Sequence, residues 1–157
     1  MSSIRASRYH DISCGHRVHN HESKCAHLHG HNYRFHFHCE MDAVPQSKEI
    51  GATKPSEAGL DAIGRVIDFS VIKEELCMWL EDVWDHKFLV WEGDPLHSHL
   101  KDIDPQGTVV VPFNPTAENL AKYMVEVIAP SRLRGSGVTL MECIVEETRK
   151  CSASYHV

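Results

Sequence analysis

The chain has 157 residues, 42% apolar and 24% charged, with a net charge of −6. That length is one domain with room for a sizeable core, and the acidic balance excludes general nucleic-acid binding, which needs a basic surface. No apolar run approaches the ~18 residues of a membrane span, and Met1-Ser2-Ser3-Ile4-Arg5 has no apolar leader, so a cytoplasmic protein is expected. Six cysteines, at 14, 25, 39, 77, 143 and 151, read as reduced thiols in such a setting. Thirteen histidines are the anomaly, and nine of them fall between His10 and His38.

Residues 4–18 read as a strand, His19 to Lys24 as a short loop, and residues 31–42 as a second strand. In the latter, Tyr33, Phe35, Phe37 and Cys39 alternate onto one face. The two strands pair antiparallel around the Cys25 loop. Residues 43–64, rich in Gly, Pro and Ser, read as a long loop. A helix follows with Ser70 as its cap and a stripe of Ile72, Leu76, Trp79, Leu80 and Val83, stopping near Asp85. Residues 92–107 read as polar loop and Thr108–Val111 as a short extended run. Thr116 caps a second helix with a stripe of Ala117, Leu120, Ala121, Met124, Val127 and Ile128, ended by Pro130. Residues 138–147 and 151–157 read as closing strands. The order β-β-α-(short β)-α-β-β is α+β, with two helices on one face of an antiparallel sheet.

His29 and His31 are two apart, so on an extended segment both rings face one way and reach one ion. His36 and His38 have the opposite parity and are set aside. Catalytic zinc needs a third ligand. Among His10, His16, His19, His21 and His27, the choice is His16, which shares a face with apolar Ile12 and Val18 on the neighbouring strand. The competing reading is a histidine-rich surface strand with no metal.

Cys25 is either a fourth ligand, closing a structural site, or a free thiol beside an open one. Lys24, His27 and a nearby cation would favour its thiolate. The other five cysteines read as packing residues. Asp85-His86 is either an oriented proton-transfer pair or a solvated helix end. Glu146 and Glu147 face opposite sides of a strand. Either one points inward toward a ligand with two N–H donors, or the two are an edge charge pair.

Taken together, the chain resembles the family of 6-pyruvoyl-tetrahydropterin and 6-carboxytetrahydropterin synthases. The matching pieces are His16-Arg17-Val18, Cys25 through Tyr33, Val66-Ile67-Asp68-Phe69, Asp85-His86-Lys87-Phe88-Leu89, Pro115-Thr116-Ala117-Glu118-Asn119-Leu120 and Glu147-Thr148. The resemblance implies the tunnelling fold, a four-stranded antiparallel sheet with two helices, β-β-α-α-β-β. It also implies homo-oligomers, trimers or stacked trimers, with sites between subunits, so that Cys25 and His86 of one site come from different chains. It makes His16, His29 and His31 the zinc ligands, Cys25 the catalytic thiol, and Asp85 and His86 its partner dyad. Glu147 becomes the pterin anchor. Thr116, Lys24, Arg17 and His27 become substrate contacts, the last three at phosphates.

The implied substrate is 7,8-dihydroneopterin triphosphate. The stretch Cys25-Ala26-His27-Leu28-His29-Gly30-His31 resembles the carboxy type, of the queuosine and 7-deazapurine pathway, which releases triphosphate and acetaldehyde. The alternatives are the pyruvoyl type, which stops at triphosphate elimination, and a non-catalytic zinc-stabilised pterin-binding protein. A third branch carries glutamate where Cys25 stands. The segment Ile12-Ser13-Cys14-Gly15-His16 departs from the usual Phe-Ser-Ala-Ala-His, and the 43–64 loop is longer than the family's.

Overall fold

The computed structural model describes residues 3–42 and 60–157. Strands β1 (Ala6–His16) and β2 (His29–Met41) pair antiparallel, with Ser13 opposite Asn32 and His16 opposite His29. Alternation makes the pair amphipathic. Ile12, Cys14 and His16 of β1 are buried on the same face as Tyr33, Phe35, Phe37 and Cys39 of β2. Asp11, Ser13, Arg34, His36 and His38 are exposed or half-buried on the other face. The first strand stops at His16 and the second starts at His29, so both members of the His-Gly-His pair lie on one strand.

Strand β3 (Phe88–Trp91) runs parallel to β1, and β4 (Thr108–Val111) runs parallel to β3. On the far side, β5 (Val138–Glu146) is antiparallel to β2, and β6 (Ser152–His156) is antiparallel to β5. The order is β4-β3-β1-β2-β5-β6. The sheet is therefore six-stranded and mixed, which corrects the expected four-stranded antiparallel one. Phe88-Leu89-Val90-Trp91 is too short to show a period in sequence. It becomes a strand because its backbone bonds on both sides: the Gly15 N–H donates to Lys87 O at 2.9 Å and the Phe88 N–H to Gly107 O at 2.8 Å.

The first helix covers residues 69–83 through a π-helical turn at Lys73–Cys77. Its cap is Asp68 rather than Ser70, since Asp68 Oδ1 accepts the Ser70 N–H at 2.8 Å. A short helix, His97–Ile103, sits inside the expected polar loop of residues 92–107. The second long helix, residues 117–132, carries Pro130 rather than ending there. A wide π-helical turn, Met124–Ile128, opens the carbonyl ladder just where the proline ring would collide. The same turn rotates the buried face, so Val125 is buried and Val127 is exposed, reversing the expected stripe.

Both long helices lie on one face of the sheet. Ile72, Leu76, Leu80 and Trp84 meet Leu120, Ala121 and Met124 over Tyr33, Phe35 and Phe37, forming one core. Each such large side chain contributes about 1.5–3 kcal/mol on burial. Asp61 closes a turn by accepting the N–H groups of Ile63 and Arg65. The rest of the expected 43–64 loop, residues 43–59, lies outside the described residues.

Candidate active site

The register of β1 on β2 brings His16 beside His29, and the alternation of β2 puts His31 on the same buried face. Each of the three histidines offers one nitrogen, and these nitrogens lie within 4.8 Å of one another. His16 donates from Nδ1 to Pro115 O at 2.6 Å, and His29 donates from Nδ1 to His27 O at 2.7 Å. Those bonds fix both tautomers and leave lone pairs on the Nε2 atoms, which face each other at 3.0 Å. Burial pulls His16 down to about 4, and burial also lowers His31, against the pull of Glu147. Neutral rings at neutral pH are metal-ready rings.

The donor set fits a cation. Two lone pairs pointed at each other repel unless an ion or proton lies between them. His31 Nε2 and the Tyr33 hydroxyl are buried there without hydrogen-bond partners. Among the described residues, this is the one group of three or more histidine, cysteine or acidic side chains placed to hold a metal.

Cys25 sits in a 3-10 turn, Lys24–Ala26, and is half-buried and unpaired. The turn is pinned from below. The Val18 N–H donates to Cys25 O at 2.7 Å, and Arg17 donates to Ala26 O at 3.3 Å and to the buried carboxylate of Asp94 at 2.5 Å. Arg17 thus holds the loop rather than standing free. Lys24 and His27, the other expected phosphate contacts, are exposed. Asp94 falls in the stretch that reads as polar loop, where nothing in the sequence points to an arginine partner.

A cavity of about 310 Å³ is lined by Cys25, Thr116, Glu147 and Cys151, among others. Thr116 begins the second long helix, its Oγ1 accepting the Asn119 N–H at 3.2 Å. Glu147 Oε1 lies 3.3 Å from His31 Nε2. Parity separates the two glutamates as expected. Glu147 turns toward the histidines, while Glu146 turns to the other face, where its Oε2 meets His36 Nε2 at 2.7 Å.

Asp85 and His86 form a pair in contact. Asp85 Oδ2 meets His86 Nδ1 at 2.8 Å, and Asp85 Oδ1 accepts the Ser13 N–H at 2.9 Å. His86 has φ +58, left-handed backbone that is uncommon outside glycine. Its own N–H donates to Ser13 O at 2.7 Å, which clips the pair to β1. The pair lines a cavity of about 600 Å³ with Asp11, Arg34, Glu146 and Arg149, not the cavity of Cys25 and Glu147. One chain therefore puts Cys25, Thr116 and Glu147 on one cavity, with Glu147 against His31 of the three histidines, and puts Asp85 and His86 on another, while His86 also lines a third cavity with His31.

These features define a class: an α+β protein whose sheet end carries a three-histidine donor set beside a free thiol and a carboxylate. Residues 5–157 match the profile of the 6-pyruvoyl tetrahydropterin synthase family, and the chain belongs to that family of enzymes. The 6-carboxy-5,6,7,8-tetrahydropterin synthase of Rickettsia felis is 28% identical over 149 residues, 94% of this chain and 96% of that one. A probable 6-carboxy-5,6,7,8-tetrahydropterin synthase of Halobacterium salinarum is 35% identical over 68% of this chain and 57% of its own length. Among solved structures, an uncharacterized Wolinella succinogenes protein superposes with a TM-score of 0.75 at 24% identity over 99% of each chain. The Caenorhabditis elegans 6-pyruvoyl tetrahydropterin synthase superposes with a TM-score of 0.62 at 24% identity over 100% of this chain and 97% of its own. These structural likenesses establish the tunnelling fold.

Proposed function

We propose that the protein is a zinc-dependent lyase that converts 7,8-dihydroneopterin triphosphate and one water to 6-carboxy-5,6,7,8-tetrahydropterin, triphosphate and acetaldehyde. Relatives named for that product match nearly the whole chain. The observation that carries the reading is the cavity shared by Cys25, Thr116 and Glu147, with Glu147 against His31.

His16, His29 and His31 would hold the ion, and bound zinc supplies Lewis-acid polarisation of substrate hydroxyls. The Cys25 thiolate takes a proton from substrate carbon. The Glu147 carboxylate accepts two adjacent N–H donors of the pterin edge, which fixes the ring beside the thiol. Lys24 and His27, exposed near the cavity, meet the triphosphate, while Arg17 keeps the turn in place. His86 holds its Nδ1 proton on Asp85 and exchanges the second proton at Nε2.

Cys25 and His86 line separate cavities of one chain, so this reading completes each site across a subunit boundary in a homo-oligomer, a trimer or a pair of trimers. The product then feeds 7-deazapurine (queuosine) synthesis. The test is incubation of the zinc-loaded protein with dihydroneopterin triphosphate and identification of all products. Carboxy-pterin with acetaldehyde is expected. Pyruvoyl-pterin without acetaldehyde moves the reading to the pyruvoyl-type synthase. No triphosphate release overturns both, leaving a pterin-binding protein.

A further inference from the structure

Ser13 joins the Asp85–His86 pair to a side chain that the reaction as described does not use. Its backbone holds the pair at two points. The Ser13 N–H donates to Asp85 Oδ1 at 2.9 Å, and the Ser13 carbonyl accepts the His86 N–H at 2.7 Å. Its hydroxyl reaches across the pairing of β1 with β2, where Asn32 is its partner in register, and donates to Asn32 Oδ1 at 2.8 Å. One residue thus fixes both His86 and Asn32.

That bond decides how the Asn32 amide stands. With its oxygen taken by Ser13, the Nδ2 end and its two N–H donors turn away from the serine. Asn32 is exposed, and among the described residues no group meets its Nδ2. Ser13, Asn32 and His86 each line two cavities, one of about 600 Å³ and one of about 530 Å³. A ligand that comes to His86 through either cavity therefore also borders on Asn32.

The surroundings say what kind of group the amide takes. In the larger cavity the carboxylates of Asp11, Asp85 and Glu146 outnumber the guanidinium groups of Arg34 and Arg149. Arg34 is committed to Asp11, with contacts of 2.7 and 3.0 Å. In the smaller cavity Lys87 stands with Asp104, and its Nζ donates to Gln106 O at 3.1 Å. Neither cavity gathers free positive charge for a phosphate. A neutral pair of N–H donors there suits an uncharged oxygen, a hydroxyl or a carbonyl.

We propose that Asn32 is a substrate-binding residue of the His86 half of the site. Its amide, aimed by Ser13, donates to a hydroxyl or carbonyl oxygen of the substrate side chain beside the position where His86 exchanges its proton. An N–H placed there holds the oxygen more tightly as negative charge builds on it, so the contact acts on kcat more than on KM. A plain cross-strand pair would contribute to the stability of the hairpin alone. The proposal rests on the reading of the protein as a pterin synthase, but the contact itself is measurable without turnover.

The test uses the full-length, zinc-loaded chain. Asn32→Leu removes the amide, while Asn32→Asp keeps an oxygen for Ser13 and replaces the donors with an acceptor. Both should lower kcat by roughly a hundredfold, the scale of losing one preorganised donor at a reacting oxygen, with zinc content and KM little changed. Ser13→Ala, which frees the amide to rotate, should lower kcat by about tenfold, and Ser13→Thr, which restores a hydroxyl, should recover it. The contact is read directly in the ¹⁵N-labelled protein. The side-chain amide signal that Asn32→Asp removes should shift downfield with neopterin, which carries the side-chain hydroxyls without the triphosphate. Wild-type kcat in Asn32→Leu and Asn32→Asp overturns the proposal, and a fall in melting temperature with no kinetic change does the same. If Asn32→Leu fails to fold, Asn32→Asp and the two Ser13 variants decide. A wild type that releases no triphosphate overturns the functional reading instead. The amide signal then decides this proposal, and one that no concentration of neopterin shifts overturns it as well.

Discussion

Nε2 of His16 and Nε2 of His29 face each other at 3.0 Å, each ring held from behind by a backbone carbonyl. Two such lone pairs are a poor arrangement for an empty site and a good one for a cation. The expected stoichiometry is one zinc per chain. His29→Ala and His31→Ala should each abolish retention of the metal, read by elemental analysis after dialysis. Chelation should lower the wild-type melting temperature, the stability lost being set by linkage at about 2.7 kcal/mol for a free metal concentration one hundred times Kd. A chain that takes up no zinc when the metal is supplied in excess would sink this.

Cys25 and Glu147 share a cavity but have different tasks, and kinetics should separate them. Cys25→Ser should lower kcat by roughly a hundredfold or more with zinc content intact, because a proton acceptor is lost. Glu147→Gln places an amide N–H against a pterin N–H. It should raise KM by about 1.5–3 kcal/mol of lost binding while the metal stays. Loss of zinc in Cys25→Ser would instead make the thiol a ligand.

Acid should destabilise the metal-stripped protein through His16. Its folded-state value is about 4, against 6.5 for an ordinary histidine, because burial disfavours the charged ring. Between those values the unfolded chain binds the extra proton, so stability rises with pH across the window. The contribution is complete above pH 6.5 and is lost as pH falls toward 4. It amounts to about 3 kcal/mol. Urea midpoints of the chelated protein from pH 7 to pH 4 test this, with His16→Asn flattening the curve. An identical slope in that variant would show that other groups carry the acid sensitivity.

Gly30 separates two of the histidines and lies opposite Gly15 where β1 and β2 pair. A Cβ there would sit 2.9 Å from Cys14 O, a backbone atom that cannot swing aside. Gly30→Ala should therefore shift the hairpin at the ligands, costing about 1–3 kcal/mol of stability and weakening zinc retention. Calorimetry and metal analysis read the two effects. Wild-type values in both would show that the hairpin yields there without cost.

Much of the site was legible because a strand has a period of two. Parity alone joined His29 to His31 and set His36 and His38 aside, and the same rule separated Glu147 from Glu146. Helical stripes located both long helices and Thr116 marked the start of the second, although Asp68 supplies the cap expected of Ser70, and Pro130 and Val127 were misplaced by a π-helical turn that spacing does not reveal. Strand β3 and the short helix His97–Ile103 were missed because runs of four and seven residues show no secure period.

By itself, then, the sequence determined the residue types, their faces and the family, since these depend on local periodicity and ordered motifs. Only the tertiary structure decided which faces meet. The register of β1 on β2 carried His16 to His29, and the turn of Pro115 supplied the carbonyl that fixes its tautomer. The packing of the first helix on β1 placed Glu81 against His10. It also left His86 in a different cavity from Cys25. Those relations join residues far apart in the chain, and their energies depend on burial and backbone partners that no local pattern encodes.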